Sequence, residues 1–171
     1  MHTGAPTYWS VPMIEIRKAN AHDVPLIFEW ENDPQIWSIT DEPGPFSMED
    51  IRYFIVQQND LLVNGQERWL ICLNQQPIGM MDLFQWNLDQ RSVGLGIVLM
   101  EMKERSQGYG SQAIQLMEHT LKEVMGVNSI WVLVWENNTK AMNFFLKMSY
   151  HRKEDLLHMG KKAIKFEKKM K

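Results

Sequence analysis

The chain has 171 residues, 44% hydrophobic and 23% charged, which is the balance of one ordinary globular domain with enough apolar material for a core. A formal net charge of -3 excludes binding of nucleic acid through overall charge, and no apolar run approaches the ~20 residues of a membrane span. The single cysteine excludes a disulfide framework and a cysteine-built metal cluster. Cys72 lies in the run Trp69-Leu70-Ile71-Cys72-Leu73 and reads as a small core residue.

Residues 1–12 carry neither the basic start nor the apolar stretch of a secretory signal. They read as a leader, disordered or vector-derived, with Met13 as an alternative start and a cytoplasmic location by default. Ile14-Glu15-Ile16-Arg17 alternates as a first strand. Asn20 and Asp23 carry helix-start chemistry and Pro25 suits a first turn. The helix they open has Leu26, Ile27 and Trp30 on one face and ends at Asp33-Pro34. Pro43-Gly44-Pro45 marks a loop. Ser47 then begins a second helix with Glu49 and Asp50 in its first turn and Ile51, Phe54, Ile55 and Gln58 along it.

From residue 67 strands take over. Segments 68–73, 77–86 and 92–100, joined by turns at Gln75-Gln76 and at 87–90, predict an antiparallel meander. Gly94 and Gly96 in the third of these mark a bulge or a close backbone approach. Gly108 and Gly110 open an amphipathic helix with Ala113, Leu116, Met117, Leu121 and Val124 on one face, and Gly126 ends it. Ser129–Trp135 reads as a strand, and Asn138-Thr139 begins a helix with Ala141, Phe144, Phe145 and Met148 inward. Strands near 150–158 and 162–169 close the chain. The order β-α-α-β-β-β-α-β-α-β-β, without repeat or linker, predicts one mixed α/β domain over 13–171, with a right-handed parallel step across the strand–helix–strand unit.

The segment that carries chemistry is Arg105-Ser106-Gln107-Gly108-Tyr109-Gly110-Ser111. A helix N-terminus presents unpaired N–H groups and a partial positive charge, and glycines let the backbone approach phosphate oxygens. Ser111 adds a hydroxyl and Arg105 a charge. Neither the Walker pattern nor the dinucleotide Gly-x-Gly-x-x-Gly pattern is met. Taken alone, the segment reads equally as an anion site or as a plain glycine turn.

Arg105-Ser-Gln-Gly108-Tyr-Gly110 matches Gln/Arg-x-x-Gly-x-Gly/Ala, and Asn138-Thr-Lys-Ala141, followed by Lys147, places Ala three residues after Asn at a helix start. With these two marks in this order and one strand between them, the chain from Ile14 onward resembles the GNAT superfamily of N-acetyltransferases. The stretches Gln66-Glu-Arg-Trp-Leu-Ile and Gln90-Arg-Ser-Val-Gly-Leu-Gly resemble the branch that holds spermidine and ribosomal-protein N-terminal acetyltransferases.

The resemblance implies a twisted, mostly antiparallel sheet of about seven strands with four flanking helices and a V-shaped split between strands 4 and 5. It implies acetyl-CoA as co-substrate and no metal, and His22, His119, His151 and His158 show no metal spacing. The pantetheine arm is then expected beside the backbone of Leu99 and Met100. The pyrophosphate is then expected on Gln107, Gly108, Gly110 and Ser111, with Asn138 contacting the cofactor from the other side and Arg105, Tyr109 and Phe145 as further cofactor-binding residues. The implied reaction is acetyl transfer to a primary amine, a small polyamine or a peptide N-terminus, by direct attack in a ternary complex. Dimers or larger rings are also implied, although no sequence feature fixes a homo-oligomer.

The chain departs from this pattern twice. Where relatives place a tyrosine as general acid it has Phe145, and where they carry a glutamate early in the fourth strand it reads Ser92-Val93-Gly94. An alkyl amine costs about 4–5 kcal/mol to deprotonate at pH 7, whereas a thiol leaves as thiolate at a disadvantage of about 2 kcal/mol. A path for the amine proton therefore matters more than an acid. Asp82 is the candidate base, against its reading as a solvated or hydrogen-bonded strand carboxylate. Tyr150 or Tyr109 is the candidate acid, and a backbone N–H of Leu99 or Met100 the oxyanion donor. A non-catalytic acyl-CoA-binding sensor or scaffold is the alternative.

Residues 29–50 contain seven acids (Glu29, Glu31, Asp33, Asp41, Glu42, Glu49 and Asp50) and no lysine or arginine. They read as an acidic acceptor wall that draws a cationic amine, or equally as a solvated helix face. Glu31, Trp37 and Glu42 are the candidate substrate contacts; Trp30, Trp37 and Phe46 line a pocket or belong to the core. The lysines at 161–171 alternate with Ile164 and Phe166, as on a protected edge strand, with no nucleic-acid role.

Overall fold

A computed structural model describes residues 12–40, 44–100 and 107–171, without the side chains of 38–40. The 1–12 leader, apart from Pro12, thus lies outside the described residues, as do Arg105, Ser106, Asp41 and Glu42.

Strand β1 (Ile14–Lys18) leads through a 3-10 turn (Ala21–Asp23) into α1 (Val24–Glu31). That start is a capping box: Asn20 accepts from the His22 N–H and Asp23 reaches back to the Asn20 N–H. Proline at 34 does not simply end the helical run; it begins a second short helix, α2 (Pro34–Thr40), with the Asp33 carboxylate accepting from the Gln35 N–H. Ser47 caps α3 (Met48–Tyr53), which runs on as a π turn (Phe54–Gln58), and a one-turn helix α4 (Leu61–Asn64) follows. The four expected helices are thus six among the described residues.

Seven strands follow the expected order: β1, β2 (Gln66–Leu73), β3 (Gln76–Asn87), β4 (Ser92–Leu99), β5 (Ser129–Trp135), β6 (His151–His158) and β7 (Lys161–Lys169). In space the order is β1-β2-β3-β4-β5-β7-β6. Every pairing is antiparallel except β4 with β5, which are parallel. Helices α5 (Tyr109–Met125) and α6 (Thr139–Lys147) flank β5 in the chain.

Side-chain alternation along the strands feeds two cores on opposite faces. Ile71, Met81, Leu83, Val93, Leu95, Ile130, Val132 and Val134 pack with α5 and with Phe145 of α6. Leu70, Cys72 and Met80 pack with Val24, Ile27 and Trp30 of α1 and Ile51 of α3. Cys72 is a core residue, and burial pushes its thiol pKa up.

Two expectations need correction. The inward face of α5 is Ala113, Ile114, Met117, Glu118 and Leu121, while Leu116 and Val124 are exposed. The face is rotated because Glu118 is wanted inside: it accepts from the Tyr150 hydroxyl at 3.1 Å and pairs with Lys168 at 2.9 Å. The lysine-bearing strand β7 is also not an edge, since it lies between β5 and β6. Its Lys165 sits 4.6 Å over the Trp131 ring. The edge is β6, which is charged and bulged between Arg152 and Glu154.

Candidate active site

Strands β4 and β5 are joined by only three residue pairs, Ser92–Ser129, Val93–Ile130 and Gly94–Trp131. Beyond that seam β4 stays on β3 and β5 stays on β7, so the sheet splits. Gly94 is needed where the strands part, because a Cβ there would come within 2.5 Å of the Phe84 ring. Phe84 in turn stands edge-on to Trp131, centroids 5.1 Å apart. The split opens into a cleft of about 910 Å³.

The ladder between β3 and β4 settles which peptide groups face the split. The Met100 N–H donates to the Ile78 carbonyl at 2.8 Å, so it is spent inside the sheet and is withdrawn as an oxyanion donor. By the alternation of an antiparallel ladder, the peptide groups of Leu95, Ile97 and Leu99 turn to the other edge.

Helix α5 starts beside this edge. Gly108 is its N-cap in the left-handed region, at φ 81°, where a side chain would be strained. The nearest neighbours of a Cβ on Gly110 would be Phe144, at 3.7 Å, and Ile97, at 3.9 Å, among the described residues. Ile97 itself lines the cleft, so the helix start lies at its rim. Gln107 is exposed ahead of the cap, and Tyr109, the first helical residue, packs against the larger core. The Ser111 hydroxyl donates to the Gly108 carbonyl at 2.9 Å, which leaves its N–H, not its hydroxyl, to face a ligand.

Across the split, Asn138 and Phe145 line the cleft. Asn138 caps α6, its Oδ1 accepting from the Ala141 N–H at 3.1 Å. The Asn-x-x-Ala spacing therefore has a helix-cap origin. Phe145 is wedged edge-on between Phe144 and Tyr150.

The acid and the base expected from the sequence part company here. Tyr150 has no exposed surface and donates to Glu118 beneath the sheet. Burial, then the Glu118 charge, push its phenol well above the ordinary tyrosine range, so it is withdrawn as the acid. Asp82 does line the cleft. Both its oxygens accept from Arg68, Oδ1 from Nε at 2.7 Å and Oδ2 from Nη2 at 2.8 Å.

The acceptor side also differs from expectation. Glu31 lines the cleft, yet it is neutralised by Arg68 at 2.5 Å. Trp37 does not line it: its Nε1 donates to the Glu31 carbonyl at 2.7 Å, and its ring packs on Gly44. Trp30 is core; Phe46 and Asp50 do face the cleft. Glu42 lies outside the described residues. The opposite wall, unforeseen in sequence, carries Trp131, Leu133 and Trp135 of β5, Lys165 of β7, and Glu154, Leu156 and His158 of β6.

Among the described residues no group of His, Cys, Asp or Glu is placed to hold a metal, and no helix is long and apolar enough to cross a membrane. The family model described as acetyltransferase (GNAT) domain matches residues 14–151. No curated protein matches the sequence. Among solved structures the fold is similar to that of an aminoglycoside acetyltransferase in complex with coenzyme A, at TM-score 0.79 and 16% identity over 92% of this chain and 95% of that one. It is equally similar to a spermidine N-acetyltransferase from Vibrio cholerae in complex with coenzyme A and spermine, at TM-score 0.79 and 17% identity over 91% and 95%. A domain from Methanocaldococcus jannaschii matches at TM-score 0.74 and 19% identity over 94% and 100%. With its sheet split after three pairs and a glycine-capped helix at the rim, the chain belongs to the acetyltransferase (GNAT) family and is an acetyl-CoA-dependent N-acetyltransferase.

Proposed function

We propose that the protein moves the acetyl group to a primary amine on a cationic acceptor, a small polyamine or a peptide N-terminus, by direct attack in a ternary complex. The observation that carries this reading is the cleft itself, with a helix N-terminus at its rim and the carboxylates of Glu31, Asp50 and Asp82 in its lining. Spermine and kanamycin, both polyamines in the chemical sense, are bound by neighbours of the same fold.

The residues present fit the cofactor. The N–H groups at the start of α5 lack helical partners, and Gly108 and Gly110 put no side chain in front of them. Gln107, Gly108, Gly110 and the Ser111 N–H would hold the pyrophosphate, with Tyr109 a further cofactor contact. The β4 edge at Ile97 would pair the pantetheine arm as an added strand. Asn138, its oxygen engaged in capping, would contribute its amide N–H, and Phe145 an apolar wall. Acetyl-CoA supplies a thioester whose carbonyl takes the amine nitrogen and whose thiol, of pKa ~8.5, leaves readily. Phe145 in place of an acid is consistent with that small demand. Holding amine and thioester together supplies much of the remaining rate, and Asp82 takes the amine proton or passes it to water.

Calorimetric titration of acetyl-CoA into the wild type and Gly110→Glu, followed by thiol release against polyamines, aminoglycosides and peptide N-termini, tests this. The wild type should bind and the variant bind at least ~10-fold more weakly, since a carboxylate would face the helix start. One amine class should release thiol above background hydrolysis. Binding without turnover would make the protein a non-catalytic acyl-CoA binder, and absence of binding would remove the cofactor assignment.

A further inference from the structure

Arg68 is a part-buried cation in the lining of the cleft. It lies on β2 opposite Asp82 of β3, and its guanidinium forks onto both Asp82 oxygens while Nη1 donates to Glu31 of α1. The Phe54 ring lies 5.6 Å from its Cζ. Its backbone is pinned as well: buried Asn59 accepts from the Arg68 N–H at 2.6 Å and donates to its carbonyl at 3.2 Å. Burial alone would lower the guanidinium pKa; Asp82 and then Glu31 outweigh that and raise it, so Arg68 stays charged throughout the working range.

Two carboxylates against one guanidinium leave this bridge with a net charge of one negative unit. Glu31 and Arg68 side chains are each 12% exposed, whereas Asp82 is 41% exposed, so the surplus charge is presented to the cleft through Asp82. Among the described residues, the other charged groups around the cleft are Asp50 of α3, Glu67 of β2, Glu154 and His158 of β6, and Lys165 of β7. Glu67 is already engaged by Lys18, the Trp69 indole and the Leu61 N–H. Lys165 is drawn over Trp131 on the far wall.

We propose that Arg68 is a positioning residue that aims Asp82 into the cleft and sets the charge of the acceptor site, so that an ammonium is attracted yet can still give up its proton. This rests on the amine-acetylating reading above. An ammonium docked at Asp82 completes a two-against-two array. One of its N–H bonds then breaks, the proton passes to Asp82 or through it to water, and the electron pair left on nitrogen is the one that attacks. Excess negative charge would bind the ammonium tightly and hold its proton; too little would not draw it in.

The charge is tested as a series. Glu31→Gln keeps an acceptor for Arg68 and brings the bridge to zero; Arg68→Gln takes it to two negative units. Measured are the acidic limb of the kcat–pH profile with the best amine, the affinity for that amine by calorimetry at pH 6, the affinity for acetyl-CoA, and the thermal midpoint. The limb should move down by roughly one pH unit in Glu31→Gln and up by a similar amount in Arg68→Gln. Amine affinity at pH 6 should fall in the first and rise in the second, each about tenfold, with acetyl-CoA affinity unchanged. If Arg68→Gln does not fold, Glu31→Gln decides alone: an unmoved limb with unchanged amine affinity overturns the proposal. If the wild type turns over no amine while binding acetyl-CoA, the acetyl-transfer reading fails first and this one with it.

Discussion

Tyr150 illustrates how burial decides the role of a single residue. A phenol can be a general acid only where it meets substrate, and this one meets Glu118. Tyr150→Phe should leave kcat within about a factor of two and lower stability by about 1 kcal/mol, the usual net value of one buried hydrogen bond. Steady-state kinetics and a thermal melt check both. A kcat loss of a hundredfold without loss of stability would restore the tyrosine to the chemistry. Asp82 was legible in the sequence as a candidate base or a hydrogen-bonded strand carboxylate, but Arg68 was not legible as its partner. The turn at Gln75-Gln76, counted strictly from the pairs Leu73–Gln76 and Cys72–Pro77, would set Arg68 opposite Met81 and Asp82 on the other face. The bulge between Ile71 and Cys72 inserts Ile78 and moves Arg68 opposite Asp82. Nothing in composition or alternation announces such a one-residue insertion. The direction of the Met100 peptide depends on the same kind of register.

At the scale of elements, the entry to α1 holds one edge of the sheet to the acceptor-side helices. Asp23, 7% exposed, accepts from Arg17 through both oxygens, at 2.7 and 2.8 Å, and from the Asn20 N–H at 2.9 Å. Burial would raise its pKa, but the Arg17 and Asn20 hydrogen bonds outweigh burial and lower it. A carboxylate whose folded pKa is depressed contributes stability that is complete above its unfolded pKa of about 4 and is lost as pH falls through the folded value. The wild type should therefore lose stability in acid below pH ~4. Asp23→Asn should be less stable at pH 7 by about 1–3 kcal/mol and should lose less of what remains on acidification. Denaturant melts at pH 7 and pH 3 measure both. An equal loss in the two proteins would remove Asp23 from the acid response. This start was legible because Asn20, Asp23 and Pro25 act within one turn. The inward face of α5 was read about one residue askew, since apolar periodicity gives no reason to bury Glu118. Its partners Tyr150 and Lys168 come from distant strands. The exchange of β6 and β7 was hidden for a similar reason: a hairpin can add to β5 by either strand, and burial of Ile164 and Phe166 on one face and Ala163 on the other selects β7.

At the scale of the molecule, the sheet is two pieces hinged on a short seam. One piece is β1 to β4 with the N-terminal helices, the other β5, β7 and β6, and three parallel pairs join them. A ligand that lies in the split touches both pieces and so should stabilise the whole domain. Acetyl-CoA at 100 times its Kd should add about 2.7 kcal/mol. In a domain of this size 1 kcal/mol is about 2–4 °C, so the thermal midpoint should rise by roughly 5–10 °C. Gly94→Ala attacks the same seam from the apo side. Its Cβ would meet the Phe84 ring, which Trp131 prevents from retreating, at a cost of about 1–3 kcal/mol. If the seam sets the angle of the split, this variant should melt lower without ligand and also gain less from acetyl-CoA than the wild type at equal concentration. If the two proteins gain equally, Gly94 serves packing alone and the angle is set elsewhere. If neither midpoint moves at saturating acetyl-CoA, the split is not where the cofactor lies.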